Sequence, residues 1–212
     1  IHSAKQQVVR IDRIANGAIH KSTRDAFFRA AIAAAMRSDA VLISDYGGGL
    51  VSPAVVSRLR RKLKRAGHVV PILVDSRYRL LNYSGLTACT PNESEVEQAL
   101  GIRINDDIRV LERAGRQILE QTRMQAVVIT RGSRGMALFV PAEPTVHIPI
   151  FGSDEIADVT GAGDTVMATM ALALAAGATF ELAARLANYA GGLVGMKRGT
   201  ATVNAAELRS AG

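Results

Sequence analysis

The residues most able to do chemistry lie in the run Thr160-Gly161-Ala162-Gly163-Asp164-Thr165, at the head of a long apolar stretch. Small residues there let the backbone come close to a ligand. The apolar stretch over 162–176 reads as a helix, and free N–H groups at a helix start point outward. Together with the helix dipole, Gly161, Ala162 and Gly163 would form an anion site suited to phosphate. Asp164, in the first turn, would sit beside that phosphate and is placed to take a proton from an attacking hydroxyl. Charge stabilisation, alignment and a base are the parts that phosphoryl transfer needs. The alternative is that Asp164 only stabilises a helix N-terminus. Two other nucleotide motifs are absent: there is no G-x-x-x-x-G-K-[ST] run, and Val166 stands where G-x-G-x-x-G needs its third glycine.

Two more runs carry polar groups at telling spacings. Asn92-Glu93-Ser94-Glu95 follows a short strand and opens a helix. It reads either as a phosphate- and metal-organising N-x-x-E pattern or as an Asn N-cap with its capping-box glutamate. Thr130-Arg131-Gly132-Ser133-Arg134-Gly135 follows a strand and reads either as a phosphate-proximal turn or as a glycine-rich hairpin turn.

The elements that must position these runs alternate between strand-like and helical stretches, the pattern of an α/β domain with a mostly parallel sheet. Strands are expected at 8–14, 40–44, 69–75, 87–90, 126–130 and 136–140, with 145–150 extended. Helices are expected at 23–36, from Ser52-Pro53 to near Gly67, from Pro91-Asn92 to Leu100, from Asp106 or Asp107 to about Thr122, and over 162–176 and 180–196. Ser52 supplies an N-cap and Pro53 a first helical residue, and Gly101 a C-cap. Two helices close the chain on this reading. No repeat or linker is visible, so one domain over 1–212 is expected.

Composition limits the partners. Apolar residues make up 48% and charged residues 21% of 212, ordinary values for a globular chain. The longest apolar stretch, Ala168 to Ala178, falls short of the roughly 18 residues a membrane span needs, so no membrane partner is expected. Cys89 is the only cysteine, which rules out an intrachain disulfide, and no leader or transit-like segment is visible at the start. A cytoplasmic setting is expected. The net charge of +7 is densest at Arg58, Arg60, Arg61, Lys62, Lys64 and Arg65. These spread around a helix with few aromatics, which reads as a solvated face, an anion-binding role staying open. No nucleic-acid partner is expected.

Asp158-Val159-Thr160-Gly161-Ala162-Gly163-Asp164-Thr165 resembles the C-terminal signature of the ribokinase (PfkB) carbohydrate kinases. The resemblance extends to Asn92 through Glu95, with the N-x-x-E spacing, and to the turn Thr130 to Gly135. It implies a three-layer α/β/α ribokinase-like fold, with ATP and Mg²⁺ as cofactors. By it, Gly161, Ala162 and Gly163 form the anion hole for the γ-phosphate and Asp164 is the base. Asn92 and Glu95 organise Mg²⁺ and the ATP phosphates, Glu95 through water as the metal-side residue. Glu93, Ser94, Thr130, Gly132 and Asn188 fall among the nucleotide-binding positions, with Gly199-Thr200-Ala201 near the adenine.

Within that family, Ser44-Asp45-Tyr46-Gly47, Leu73-Val74-Asp75, Thr90-Pro91-Asn92 and Gly199 through Val203 resemble the bacterial heptose-phosphate kinases. The implied reaction is phosphorylation of D-glycero-β-D-manno-heptose 7-phosphate to the 1,7-bisphosphate, a step toward ADP-heptose and lipopolysaccharide. Another sugar or nucleoside acceptor, or a truncated chain that binds nucleotide without catalysis, stays open. Family kinase domains begin further upstream, with a glycine-rich sugar-binding segment and a small β lid, so a chain opening on Ile1 is expected to lack its N-terminal part and most of the lid. A homodimer through such a lid is left open on the same ground. Gly48 stands where the heptose kinases carry lysine, and Ala157 where an aromatic is usual.

Overall fold

A computed structural model of the chain describes residues 2–3, 6–7, 19–152, 161–197, 199 and 201–211. The strand expected at 8–14, and Asp158 to Thr160 of the glycine-rich run, lie outside the described residues.

A short ribbon, β1 (His2–Ser3) with β2 (Gln6–Gln7), precedes helix α1 (Lys21–Ala35). The main sheet then builds in sequence order: β3 (Val41–Asp45), β4 (Ile72–Ser76), β5 (Ala88–Cys89), β6 (Ala126–Thr130), β7 (Met136–Phe139) and β8 (Val146–Ile148). Pairings from β3 to β6 are parallel; β6–β7 and β7–β8 are antiparallel. The crossovers are α2 (Pro53–Arg65) between β3 and β4, and α3 (Glu93–Leu100) with α4 (Ile108–Thr122) between β5 and β6. Helices α5 (Ala162–Ala175) and α6 (Phe180–Gly195) follow the sheet. Among the described residues no helix is long and apolar enough to cross a membrane.

Strand alternation divides the core into two layers. Val74, Cys89, Val127 and Ile129 face α1 to α4, while Leu73, Ala88, Ala126 and Val128 face α5 and α6. A parallel sheet covered on both faces needs apolar residues on both, which is why its strands read as continuous apolar runs. Each of the Val, Leu and Ile side chains among these, buried, contributes about 1.5–3 kcal/mol. The result is the expected three-layer α/β/α architecture.

Caps fix where the helices start. Ser52 Oγ accepts from the Val55 N–H at 3.4 Å and Pro53 takes the first helical position. Asp107, rather than Asp106, caps α4 through bonds from the Arg109 and Val110 N–H groups. Two expectations need correction. The strand expected from residue 69 begins at Ile72, because Pro71 has no N–H to give a ladder. A third helix, α7 (Ala205–Ala211), follows the two expected to close the chain. Its signal was the box Asn204-x-x-Glu207: Asn204 Oδ1 accepts from the Ala206 and Glu207 N–H groups, and Glu207 accepts from the Asn204 N–H.

Candidate active site

Strands β3 to β6 end at one edge of the sheet, and there the predicted residues gather, as ligand sites do in open α/β sheets. The chain leaves β5 through Thr90-Pro91 and reaches Asn92, the N-cap of α3. Asn92 Oδ1 accepts from the Glu95 N–H at 2.9 Å, and Glu95 Oε2 accepts from the Asn92 N–H at 3.0 Å. The capping box is therefore present, and it coexists with exposure to a site. Both side chains line a cleft of about 380 Å³ together with Ser94, Gly161, Gly163 and Asp164. Capping holds each in one rotamer.

Glu93 behaves differently and lines neither this cleft nor the next. Its carboxylate accepts from Arg131 Nε at 2.8 Å and pairs with Arg134. The Thr130 N–H donates to the Pro91 carbonyl at 2.9 Å, and Asn92 bridges Thr130 in parallel fashion. Glu93 thus staples the Arg131–Gly135 turn to the start of α3.

Gly161 takes φ +81°, a left-handed conformation that L side chains rarely adopt, and opens α5 with no side-chain cap. The Thr165 N–H, bonded to the Gly161 carbonyl at 3.0 Å, is the first to enter the helical ladder. The N–H groups before it are left for something outside the helix.

A second cleft, of about 370 Å³, shares Asn92 and Gly163 with the first. Thr130 and Gly132 form one wall, Ala162 another, and Asn188, Gly191, Gly192 and Gly195 of α6 a third. Asn188 is 4% exposed and its Nδ2 donates to the Pro149 carbonyl at 2.8 Å. A Cβ on Gly192 would run into the Phe151 carbonyl oxygen, so the floor of this cleft needs glycine there. Gly199 and Ala201 line neither cleft, and Thr200 lies outside the described residues.

Sequence reasoning passed over four residues of the first cleft as site residues: Tyr46, Asp75, Arg77 and Gln98. Asp75, the last residue but one of β4, lies on the α5 side. Burial, then the charges of Glu95 and Asp164, push its carboxyl up to about 6. The available signal was topological, since Asp45-Tyr46 and Asp75 stand at or beside strand ends at the same edge as Asn92. The α6 glycines were missed as well. Their signal was a Gly-Gly pair inside a helix, where each glycine costs about 0.5–1 kcal/mol against alanine and so implies a close approach. Among the described residues no three His, Cys, Asp or Glu side chains converge tightly enough to hold a metal ion unaided. A divalent cation beside Asp75, Glu95 and Asp164 would need further oxygen ligands, such as those of phosphates.

The first turn of α5 thus stands between a glycine-floored cleft and an acidic one. The model of the pfkB family carbohydrate kinases matches residues 2–207. The bifunctional protein HldE of Caulobacter vibrioides is 43% identical over 208 residues, covering 97% of this chain and 42% of that protein. HldE of Desulfatibacillum aliphaticivorans is 40% identical over 208 residues, covering 98% and 42%. The chain thus spans less than half the length of these curated relatives. Among solved structures, Arabidopsis thaliana ribokinase complexed with ribose and ATP superposes with a TM-score of 0.71 at 22% identity, over 85% of this chain and 58% of that one, which shows a shared fold. The chain belongs to the pfkB family of carbohydrate kinases.

Proposed function

We propose that this chain transfers the γ-phosphoryl group of ATP to a sugar phosphate, and that the acceptor is D-glycero-β-D-manno-heptose 7-phosphate, giving the 1,7-bisphosphate used for ADP-heptose and lipopolysaccharide. One observation carries the reading: the start of α5, where Gly161 is left-handed and has no side chain to cap it, stands where two clefts meet, and Asp164 lines only the acidic one. The glycine-floored cleft fits a nucleotide's base and sugar in size and apolar character. On this reading Gly161, Ala162 and Gly163 hold the γ-phosphate through backbone N–H groups, and Asn92, Ser94, Thr130, Gly132 and Asn188 flank the nucleotide. Asp164 removes the proton of the acceptor hydroxyl as it attacks. Preorganised donors stabilise the charge on the transferring group without reorganising.

The residues present fit Mg²⁺ arriving with the nucleotide. That ion takes one or two carboxylates and fills its shell with phosphate oxygens and water, and Glu95 and Asp75 are the carboxylates nearest to hand. When bound it would neutralise phosphate charge. Glu93 serves the site by holding the Arg131–Gly135 turn. The relationship to the HldE proteins supports the heptose acceptor, and a cytoplasmic setting goes with that reading.

The test is calorimetric titration of the protein with Mg·ATP, followed by turnover of a panel of sugar phosphates and free sugars. Gly161→Val forces a β-branched residue into a left-handed conformation at a cost of about 1–2 kcal/mol. It is expected to weaken Mg·ATP binding by roughly tenfold or more. A folded wild-type protein that binds no Mg·ATP would contradict the reading. Turnover of only an unphosphorylated sugar or a nucleoside would replace the acceptor and leave the kinase standing.

A further inference from the structure

Behind the acidic cleft lies a buried polar cluster centred on Asp45, the last residue of β3, which is 3% exposed. Its Oδ1 accepts from the Gly47 N–H at 3.0 Å and Arg79 Nη2 at 2.7 Å. Its Oδ2 accepts from Arg79 Nε at 3.1 Å, the Tyr83 hydroxyl at 2.7 Å and Ser76 Oγ at 3.1 Å. Burial alone would raise this carboxyl, but the bonds from Arg79, Tyr83 and Gly47 more than offset it and hold it below the usual carboxylate range.

The cluster ties two loops together. Arg79 Nη2 also donates to the Val51 carbonyl at 3.1 Å, which closes the loop after β3. Ser76 Oγ accepts from the Arg79 N–H at 3.2 Å, and the Arg77 N–H donates to the Asp45 carbonyl at 3.3 Å, which fixes the loop after β4. Tyr46 and Arg77 each follow an anchored residue, and both line the acidic cleft but not the nucleotide cleft. Tyr46 is 61% exposed, so its place depends on the backbone beneath it. Arg77 is the one cation among the described residues lining a cleft that also presents Asp75, Glu95 and Asp164.

A buried ion pair is weak evidence for stability, since apolar residues of equal volume often do as well. What apolar residues cannot do is fix two loops in one mutual register through five directed bonds to one carboxylate. We propose that Asp45, with Arg79, Ser76 and Tyr83, is a positioning centre that holds Tyr46 and Arg77 as the acceptor-facing wall of the cleft. The wall suits an acceptor that carries an anionic group, which Arg77 meets. The inference rests on the kinase reading above.

The test uses Asp45→Asn and the milder Tyr83→Phe, which removes a single bond to the carboxylate. KM is measured separately for the sugar phosphate and for Mg·ATP, alongside amide hydrogen exchange. Asp45→Asn is expected to raise the acceptor KM by about tenfold or more with the Mg·ATP KM within about twofold, because only the acceptor side of the cleft shifts. Exchange is expected to quicken over 46–51 and 77–79 and not in α5. Tyr83→Phe is expected to show the same split at a few-fold size, and it decides the matter should Asp45→Asn fail to fold. A variant that loses thermal stability but keeps its acceptor KM would overturn the proposal, as would equal rises in both KM values. Wild-type protein without turnover would sink the kinase reading instead. Unchanged exchange in both loops would then still overturn the positioning role.

Discussion

Asp45 ends β3 and Asp75 stands one residue before the end of the neighbouring parallel strand β4, with Ser44 opposite Asp75 and Asp45 opposite Ser76. Strand alternation sends them to opposite faces, and their surroundings push their carboxyls in opposite directions. Asp45 faces the α2 side and meets donors; Asp75 faces α5 and meets the charges of Glu95 and Asp164. A carboxyl raised to about 6 on folding binds its proton more tightly in the native state. Its stabilising contribution is present below the unfolded value and is lost as pH rises through the folded one. Asp75→Asn is therefore expected to melt higher than wild type at pH 8, by roughly 2–4 °C, and to converge with it near pH 4. Scanning calorimetry at the two pH values checks this. A variant equally shifted at both would mean that burial of the charged carboxylate and its repulsion by Glu95 and Asp164 are not the cause. At this scale the sequence marks the groups proposed to meet phosphate through their neighbours: glycines beside Asp164, a cap beside Asn92. It does not mark Asp75, because a lone carboxylate at a strand end acquires its meaning only from residues folded against it.

The elements carry a second kind of information. Helix starts were legible at Ser52, Asn92 and Asp107, where a side chain closes its own cap, whereas the Asn204 box before α7 was passed over. The Asn92–Glu95 case shows that capping and ligand binding are not exclusive readings, since a cap fixes the two side chains that line the cleft. Helix α6 was legible as a helix and not as a cleft wall. Its 191–192 pair packs against Val166 and the Phe151 carbonyl, contacts made across elements. Gly192→Ala places a methyl group against that carbonyl, a backbone atom that cannot swing aside. Overpacking of this kind costs about 1–3 kcal/mol. The variant is expected to lower the unfolding midpoint in urea and to weaken Mg·ATP binding, with acceptor recognition at Tyr46 and Arg77 untouched. Unaltered nucleotide affinity in a folded Gly192→Ala protein would remove α6 from the nucleotide cleft.

Across the whole molecule, the alternation of strands and helices determines where chemistry can occur. The parallel strands bring Asp45, Asp75, Asn92 and Thr130 to one edge, although up to 85 positions separate them in the sequence (45 to 130). The α/β class was legible because strand-like runs alternate with helical stretches, and the three layers followed from the family resemblance. The division of the edge into two clefts was not legible, because it depends on how α5 and α6 pack on the sheet. On the proposed reading, Asp164, which lines only the acidic cleft, lies on the acceptor side of the γ-phosphate. Phosphorus NMR of product formation, run with wild type and Asp164→Asn on Mg·ATP and D-glycero-β-D-manno-heptose 7-phosphate, tests this most directly. The account predicts an anomeric phosphate signal from wild type and a rate lower by roughly 10²–10⁴-fold in the variant, with Mg·ATP affinity within about twofold of wild type. A variant that forms the bisphosphate at a near wild-type rate would contradict it.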